Sequence, residues 1–191
     1  VQDSTNAESL LMRDLTEAIQ SKLEATIFDD TVAGDGPAGL FYGASYTNCG
    51  TATFARVVAL EGALATSNAL INNLAYITHP NMVSVLKTTA KSTGNSGFLM
   101  DSNKEANGYK VFATSHMTKL GATGQTGTTH SGVIFANWAD LLIGNWGNLD
   151  ITVDPYTQAA KGTVRLVVNS YWDVARRRDA SFKYASYDDT P

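Results

Sequence analysis

The sequence predicts an α+β fold whose first and last elements are its longest. Three observations carry that prediction. Residues 7–28 place an apolar side chain at every fourth position, the repeat of one helix face. Residues 163–182 alternate apolar and polar side chains over about a dozen positions before a run of arginines, the period of a strand. Between the two lie short strand-like and helix-like runs, divided by loops rich in Gly, Asn, Thr and Ser.

In the first helix Leu11, Leu15, Ile19, Leu23 and Ile27 recur every fourth residue, with Leu10 and Ala18 widening the stripe. Thr5, Asn6, Ala7 and Glu8 have the spacing of a capping box, in which hydroxyl and carboxylate satisfy free N–H groups. The helix stops at Asp29-Asp30, where TVAGDGPAG places Gly34, Gly36, Pro37 and Gly39 in a turn-rich loop. Residues 40–52 read as irregular or weakly extended, and 53–72 as a second helix with small residues on one face. A short strand over 74–78 precedes Pro80, which opens a helix reaching about Lys87 because proline suits a first helical turn. Residues 91–108 read as a loop with a short strand at 98–100, 109–113 as a strand, and 114–131 as a polar loop. Strands follow at 132–137 and 140–144, with a tight turn at Trp138-Ala139 between them. A second turn at 145–148 and a strand over 149–154, stopped by Pro155, complete the middle.

The last long strand has Val164, Leu166, Val168, Trp172 and Val174 on one face, interrupted by Ser170. Arg165, Asn169 and Asp173 lie on the other, with Val167 and Tyr171 among them. At roughly 3.4 Å per residue it extends for about 40 Å, near twice the usual strand. Arg176-Arg177-Arg178 break it, a second strand completes a terminal ribbon, and the tail SYDDTP frays. The long first helix and this ribbon are expected to pack as one elongated unit, with the residues between them folded as a compact lobe.

Composition excludes several classes. A net charge of -4 argues against sequence-specific nucleic-acid binding, which shows as a basic excess. Charged residues make up 17%, below the average of about 25%, so the surface is neutral and hydrogen-bonding, of a kind that often meets protein. The single cysteine, Cys49, allows no internal disulfide and no cysteine cage for a metal, and suits a reducing cytoplasm. No run of about 18 apolar residues predicts a membrane-spanning helix, so no membrane partner is expected. The opening VQDSTNAESLL lacks the basic and apolar parts of a secretion signal and has no initiator Met, so Val1 reads as an artificial boundary or a cleavage point.

Chemistry-bearing motifs are sparse. Gly121, Gly124 and Gly127 resemble a phosphate loop, but Gly127 is followed by Thr128 and no Gly-Lys-Ser/Thr opens a helix. His79, His116 and His130 share no helix face, so no metal site is expected. Asp29, Asp30 and Asp35 read as a solvated turn rather than the paired carboxylates of a glycosidase, and no GxSxG occurs. Catalytic, cofactor-binding and metal-binding residues are therefore expected to be none. Arg176, Arg177 and Arg178 are the strongest charge feature. They read either as a turn neutralised by Asp173 and Asp179 or as interface charges, since arginine forks match carboxylates across interfaces. Trp172 belongs with the strand's apolar face, whereas Trp138 and Trp146 sit at turns and are secondary interface candidates.

In order along the chain, the helix AESLLMRDLTEAIQSKLEATIF with its Gly-Asp-Gly-Pro loop, LAYITHPNMVSVLKTT, GYKVFATSHM, and VIFANWADLLIGNWGNLDITVDP followed by the long strand and RRRDASF resemble the major capsid protein family of tailed bacteriophages. The resemblance spans nearly the whole chain. It implies a peripheral lobe with a spine helix and long strands, 1–36 and 158–191, and a mixed α/β axial lobe, 37–157, that meets its copies at five-fold and six-fold centres. The function it implies is structural: a subunit of an icosahedral phage or prophage shell that encloses DNA through repeated contacts with itself, assembled in the bacterial cytoplasm and residing in the virion. Family members carry an arm and an extended loop before the spine helix. This chain opens almost at the helix, so the resemblance implies an N-terminally truncated member that stays monomeric rather than closing a shell alone. Some members join a lysine of that loop to an asparagine of the long strand with help from a glutamate. Asn169 is present here without the glutamate, and no cross-link is carried over. The encapsulin nanocompartment, a shell of the same fold around protein cargo, is the first alternative. A hydrolase or carbohydrate-binding module is the alternative from another class, and it calls for polar groups converging in a cleft.

Overall fold

The computed structural model describes residues 7–30, 36–71, 73–94, 97–120, 129–162 and 164–189. The capping box at 5–8, the Gly34 part of the first loop and the glycines at 121–127 lie wholly or partly outside them. The chain runs through α1 (Ala7–Ile27), β1 (Tyr46–Gly50), α2 (Phe54–Thr66), β2 (Leu74–Thr78), α3 (Pro80–Thr88), β3 (Glu105–Ala106), β4 (Tyr109–Ala113), β5 (Lys119–Leu120), β6 (His130–Asn137), β7 (Leu141–Asp154), β8 (Arg165–Arg176) and β9 (Phe182–Asp188). Seven strands form one sheet in the order β1-β9-β6-β2-β4-β3, with β5 beside the start of β6. β7 and β8 form a separate two-stranded ribbon.

β6 is the centre of the sheet because HSGVIFAN can be buried on both faces, and every residue of it is. Val133 and Phe135 point into a cluster with Leu60 and Leu64 of α2 and Met82 and Leu86 of α3. Ile134 and Ala136 point the other way, into a cluster with Ile27 and Phe28 at the end of α1, Leu40, Phe41 and Tyr184. β6 runs antiparallel to β9 and to β2, while β2–β4 and β1–β9 are parallel.

The caps explain the helix limits. Thr53 accepts from the N–H of Arg56 to start α2. The helix ends at Thr66, short of the 72 expected, because Asn68 takes φ 50. The N–H of Ala69 then donates to Leu64 O at 3.2 Å and that of Asn68 to Ala65 O at 2.9 Å, the paired bonds of a Schellman end. Pro80 stands in the first turn of α3, as expected, with the His79 side chain accepting from the N–H of Asn81. Asn107 and Gly108, at φ 52 and 79, make the two-residue turn between β3 and β4. In α1 the expected stripe is half-buried at Leu15, Ile19 and Leu23 and fully buried at Ile27, but Leu10, Leu11 and Met12 are exposed.

Two strand expectations are corrected. The long strand before the arginines, β8, pairs with β7, from Leu141↔Arg176 to Asp154↔Arg165, and not with the strand after the arginines. That strand, β9, enters the sheet between β1 and β6, because FKYASYD is buried on both faces. The turn expected at 145–148 lies inside one 14-residue strand. Its Gly-Asn content marks a bulge between Trp146 and Asp150, with Gly147 at φ 82 absorbing the extra residues. The break at Trp138 is a three-residue 3-10 turn, Trp138–Asp140.

After α1 the chain folds back on its own helix end. Leu40 N–H donates to Ile27 O at 2.7 Å and Phe41 N–H to Asp29 O at 3.2 Å. A Cβ on Gly39 would stand 2.1 Å from Asp29 O, so this return needs glycine. Gly39→Ala is expected to destabilise the chain by roughly 1–3 kcal/mol. Gly62→Ala, at an exposed position of α2 where an added Cβ meets nothing within 4 Å, is expected to stabilise it by roughly 0.5–1 kcal/mol. Denaturant midpoints of the two variants give the opposite signs directly.

Candidate interaction surface

The triple arginine sits where the ribbon rejoins the sheet, and all three guanidiniums have partners within the chain. Arg176 Nε meets Asp179 at 2.9 Å, and its Nη1 donates to Tyr184 Oη at 2.9 Å and Leu40 O at 3.4 Å. Arg177 reaches back to the other strand root. Its N–H donates to Asp140 O at 2.8 Å and its guanidinium lies 2.7 Å from Asp140 Oδ1. Arg178 donates to Ser67 O and Asn68 O, carbonyls at the end of α2. Asp179 is thus a partner, as the sequence suggests. Asp140, which it does not suggest, is the more important one. The pairing crosses from the start of one long strand to the end of the other, which no local spacing signals.

Asp140 is buried, at 3% exposure. Its Oδ2 accepts from Ser181 Oγ at 2.5 Å and Asn137 Nδ2 at 3.3 Å. The Ser181 hydrogen bond, and then the charge of Arg177, hold this carboxyl below its ordinary range against the opposing effect of burial. Any interface role of the three arginines comes on top of these bonds.

The tryptophans differ among themselves. Trp138 is half-buried: its Nε1–H donates to Ala75 O at 2.9 Å and its ring stands edge-on to Phe182 at 6.0 Å. Trp172 is half-buried on the α1 side of β8, its Nε1–H donating to Ser170 Oγ. Trp146 is 59% exposed and lies over Gly144, opposite Tyr171, which is 63% exposed. Around them the ribbon also exposes Leu142, Ile143, Leu149 and Val153. A groove of about 560 Å³ runs between α1 and the ribbon, lined by Ile19, Leu23, Val168, Tyr171, Trp172 and Trp146. The structure therefore does not gather the five candidates into one site. The arginines and Trp138 hold the root of the ribbon, and Trp146 stands out along it.

Other polar groups are committed to the fold. Ser131, fully buried, donates to Asp189 Oδ2 at 2.6 Å, and Lys119 pairs with the same carboxylate at the end of the sheet. His116 meets Ser21 Oγ at 3.0 Å, tying the loop after β4 to α1. Among the described residues no three His, Cys, Asp or Glu side chains are grouped to hold a metal, and no helix is long and apolar enough to cross a membrane.

Residues 1–187 match the Phage capsid family. The major capsid protein of Halomonas phage phiHAP-1 is 26% identical over 190 residues, which is 96% of this chain and 29% of that protein. The chain thus spans under a third of that relative's length. Among solved structures, the capsid of a native GTA particle superposes with a TM-score of 0.70 at 16% identity, over 98% of this chain and 68% of that one. A chain of Gordonia phage Cozz gives 0.63 at 15% identity, over 96% and 64%. The SrpI encapsulin of Synechococcus elongatus PCC 7942 gives 0.62 at 11% identity, over 100% and 69%. At these identities the likeness is one of fold.

The root of the ribbon should respond to acid. A carboxyl held below its ordinary range stabilises the fold above its unfolded-state pKa, and that contribution is lost as pH falls through the lower folded value. Asp140→Asn is expected to be less stable than the parent at neutral pH, and the difference should begin to shrink as pH drops below about 4 and vanish only below the lower folded-state value. Melting curves of both proteins across that range check it; a difference independent of pH counts against the assignment.

Proposed function

The chain belongs to the phage capsid family, and from that premise we propose that it is the shell-forming part of a major capsid protein. The reading assigns it a structural role in an icosahedral virion, in which pentamers and hexamers of the full-length protein, assembled in the bacterial cytoplasm, enclose DNA without reading its sequence. The observation that carries the proposal is the ribbon. Strands of 14 and 12 residues leave the sheet, run along α1, and keep large apolar side chains in solvent. A lone two-stranded hairpin is marginal in water, and a contiguous exposed apolar surface marks a place where protein meets protein.

In this proposal the peripheral lobe is α1 with the ribbon, and the axial lobe is the seven-stranded sheet with α2 and α3. The boundaries expected at 158–191 and 37–157 are redrawn accordingly. Residues 141–157 pass to the peripheral lobe, since β7 is the partner of β8. Residues 177–189 pass to the axial lobe, since β9 lies in its sheet. Trp146 is assigned to an intersubunit contact, with Tyr171 beside it. Trp138 and the arginines are assigned to holding the ribbon at the angle that contact needs.

The full-length protein is expected to form hollow particles visible by electron microscopy. A protein that stays monomeric when expressed with its neighbouring phage genes overturns the proposal. Trp146→Ala should cut the yield of particles about tenfold or more, the effect of removing an interface aromatic. The melting temperature of the unassembled chain should hardly move, because the side chain is mostly exposed.

A further inference from the structure

We infer that the outer face of α1 docks into a lysine-lined groove on a second copy of the chain. The inference rests on the shell reading and names one contact that builds it. The groove, about 590 Å³, opens beside α3 at the β4 side of the sheet. Lys87, Lys104 and Lys110 surround it, all exposed, and no carboxylate lines it. None of the three is ion-paired among the described residues, whereas Lys91 and Lys119 each have an aspartate partner. Three cations around one opening, with only Glu105 opposite Lys110 on β3 to face them among the described residues, stand out in a chain of net charge -4. Lys104 is set there by a backbone at φ 59, unusual for a residue with a side chain. The floor is apolar: Met100 and Val111 are buried and Phe112 is 54% exposed.

Such a groove calls for an apolar side chain flanked by carboxylates. α1 presents that set. Leu10, Asp14 and Glu17 stand at i, i+4 and i+7, on one helix face. Leu10 is 52% exposed, and the Asp14 and Glu17 side chains are 59% and 68% exposed. Among the described residues their cation partner is Arg13, at 3.9 and 3.7 Å, contacts worth little in solvent. The groove is too small for a helix body, so α1 lies across its mouth and inserts side chains.

Within one copy the two surfaces stay apart. The end of α1 packs on the Ile134 and Ala136 face of the sheet, while α3 covers the Val133 and Phe135 face. A contact between two different patches of identical chains is head-to-tail, and head-to-tail contacts close into rings when the rotation permits. A nucleic-acid backbone suits the groove less well. Duplex DNA calls for a track of cations along its phosphates, more than three around one opening, and the chain as a whole is acidic.

The test is a charge exchange in the full-length protein, read by electron microscopy and sedimentation. Lys104→Glu with Lys110→Glu, and separately Asp14→Lys with Glu17→Lys, should each lower the assembled fraction about tenfold or more. The variant carrying all four changes should recover most of it, and melting of each unassembled chain should show that all are folded. Wild-type shells together with unimpaired charge-reversed variants overturn the docking and leave the shell reading standing. Losses that add instead of cancelling in the fourfold variant overturn it too, as does salt-sensitive binding of duplex DNA that the lysine pair alone abolishes. A wild type that never forms shells removes the reading on which the inference stands.

Discussion

The arrangement depends on one buried carboxylate. Asp140 is the last residue before the ribbon leaves the sheet, and Arg177 is the first after it returns. Their backbone hydrogen bond and ion pair close the ribbon at its root, directly below the Leu141↔Arg176 pair that begins its register. A carboxylate cannot remain charged in an interior without partners. Asn137, Ser181 and Arg177 supply them, and they come from three sides: the end of β6, the turn before β9, and the returning strand. The site therefore forms only when the central strands and the ribbon are all in place. Arg178, bonded to the end of α2, and Arg176, bonded to Tyr184 and Leu40, extend the same join to both faces of the sheet.

That join explains how one chain can hold two surfaces of opposite character. The sheet is closed: its central strand is buried throughout, and its two faces are covered by α2 with α3 and by the end of α1. The ribbon is open: it rests on α1 along one side and leaves Trp146, Tyr171 and Val153 in solvent. If the ribbon had to generate its own stability, it would need a cover within the chain. Anchored at Asp140 and braced by α1, it can keep apolar surface for other molecules. A closed assembly multiplies a weak contact over its copies, so each need contribute only modestly.

How much of this was legible in the sequence depended on the range of the interaction. The four-residue repeat of α1, the proline opening α3 and the alternation of β8 are local, and each appears in the structure. The end of α2 is not legible, because it depends on Asn68 adopting a left-handed backbone, which many asparagines do not. The Asn107-Gly108 turn is a hairpin signal, set within a long polar run that reads as loop. The partner of β8 was misread because the Gly and Asn residues at 144–148 look like a turn whether they end a strand or bulge it. Asp140 was invisible for a different reason. An isolated aspartate beside a tight turn is ordinarily solvated, and only the return of the chain from Arg176 buries it. The exposure of Trp146 and the burial of Trp138 are equally unreadable, since both stand among apolar and small residues near apparent turns.

The same distinction bears on why the fold is shared at identities between 11% and 16%. Most of what this chain needs is specified by class of residue rather than by identity. A doubly buried central strand needs apolar or small residues, a half-buried ribbon needs alternation, and a helix that braces it needs a repeat. Many sequences meet each condition. Stricter demands fall on a few positions where two backbones nearly touch or a charge is enclosed: Gly39 against Asp29, Gly132 under the Phe41 ring, and Asp140 within its three partners. Even there the requirement is physical, a missing Cβ or a satisfied carboxylate, and another chain can meet it with different residues at different places. The architecture is thus tightly constrained in what must be buried and joined, and loosely constrained in the letters that do it.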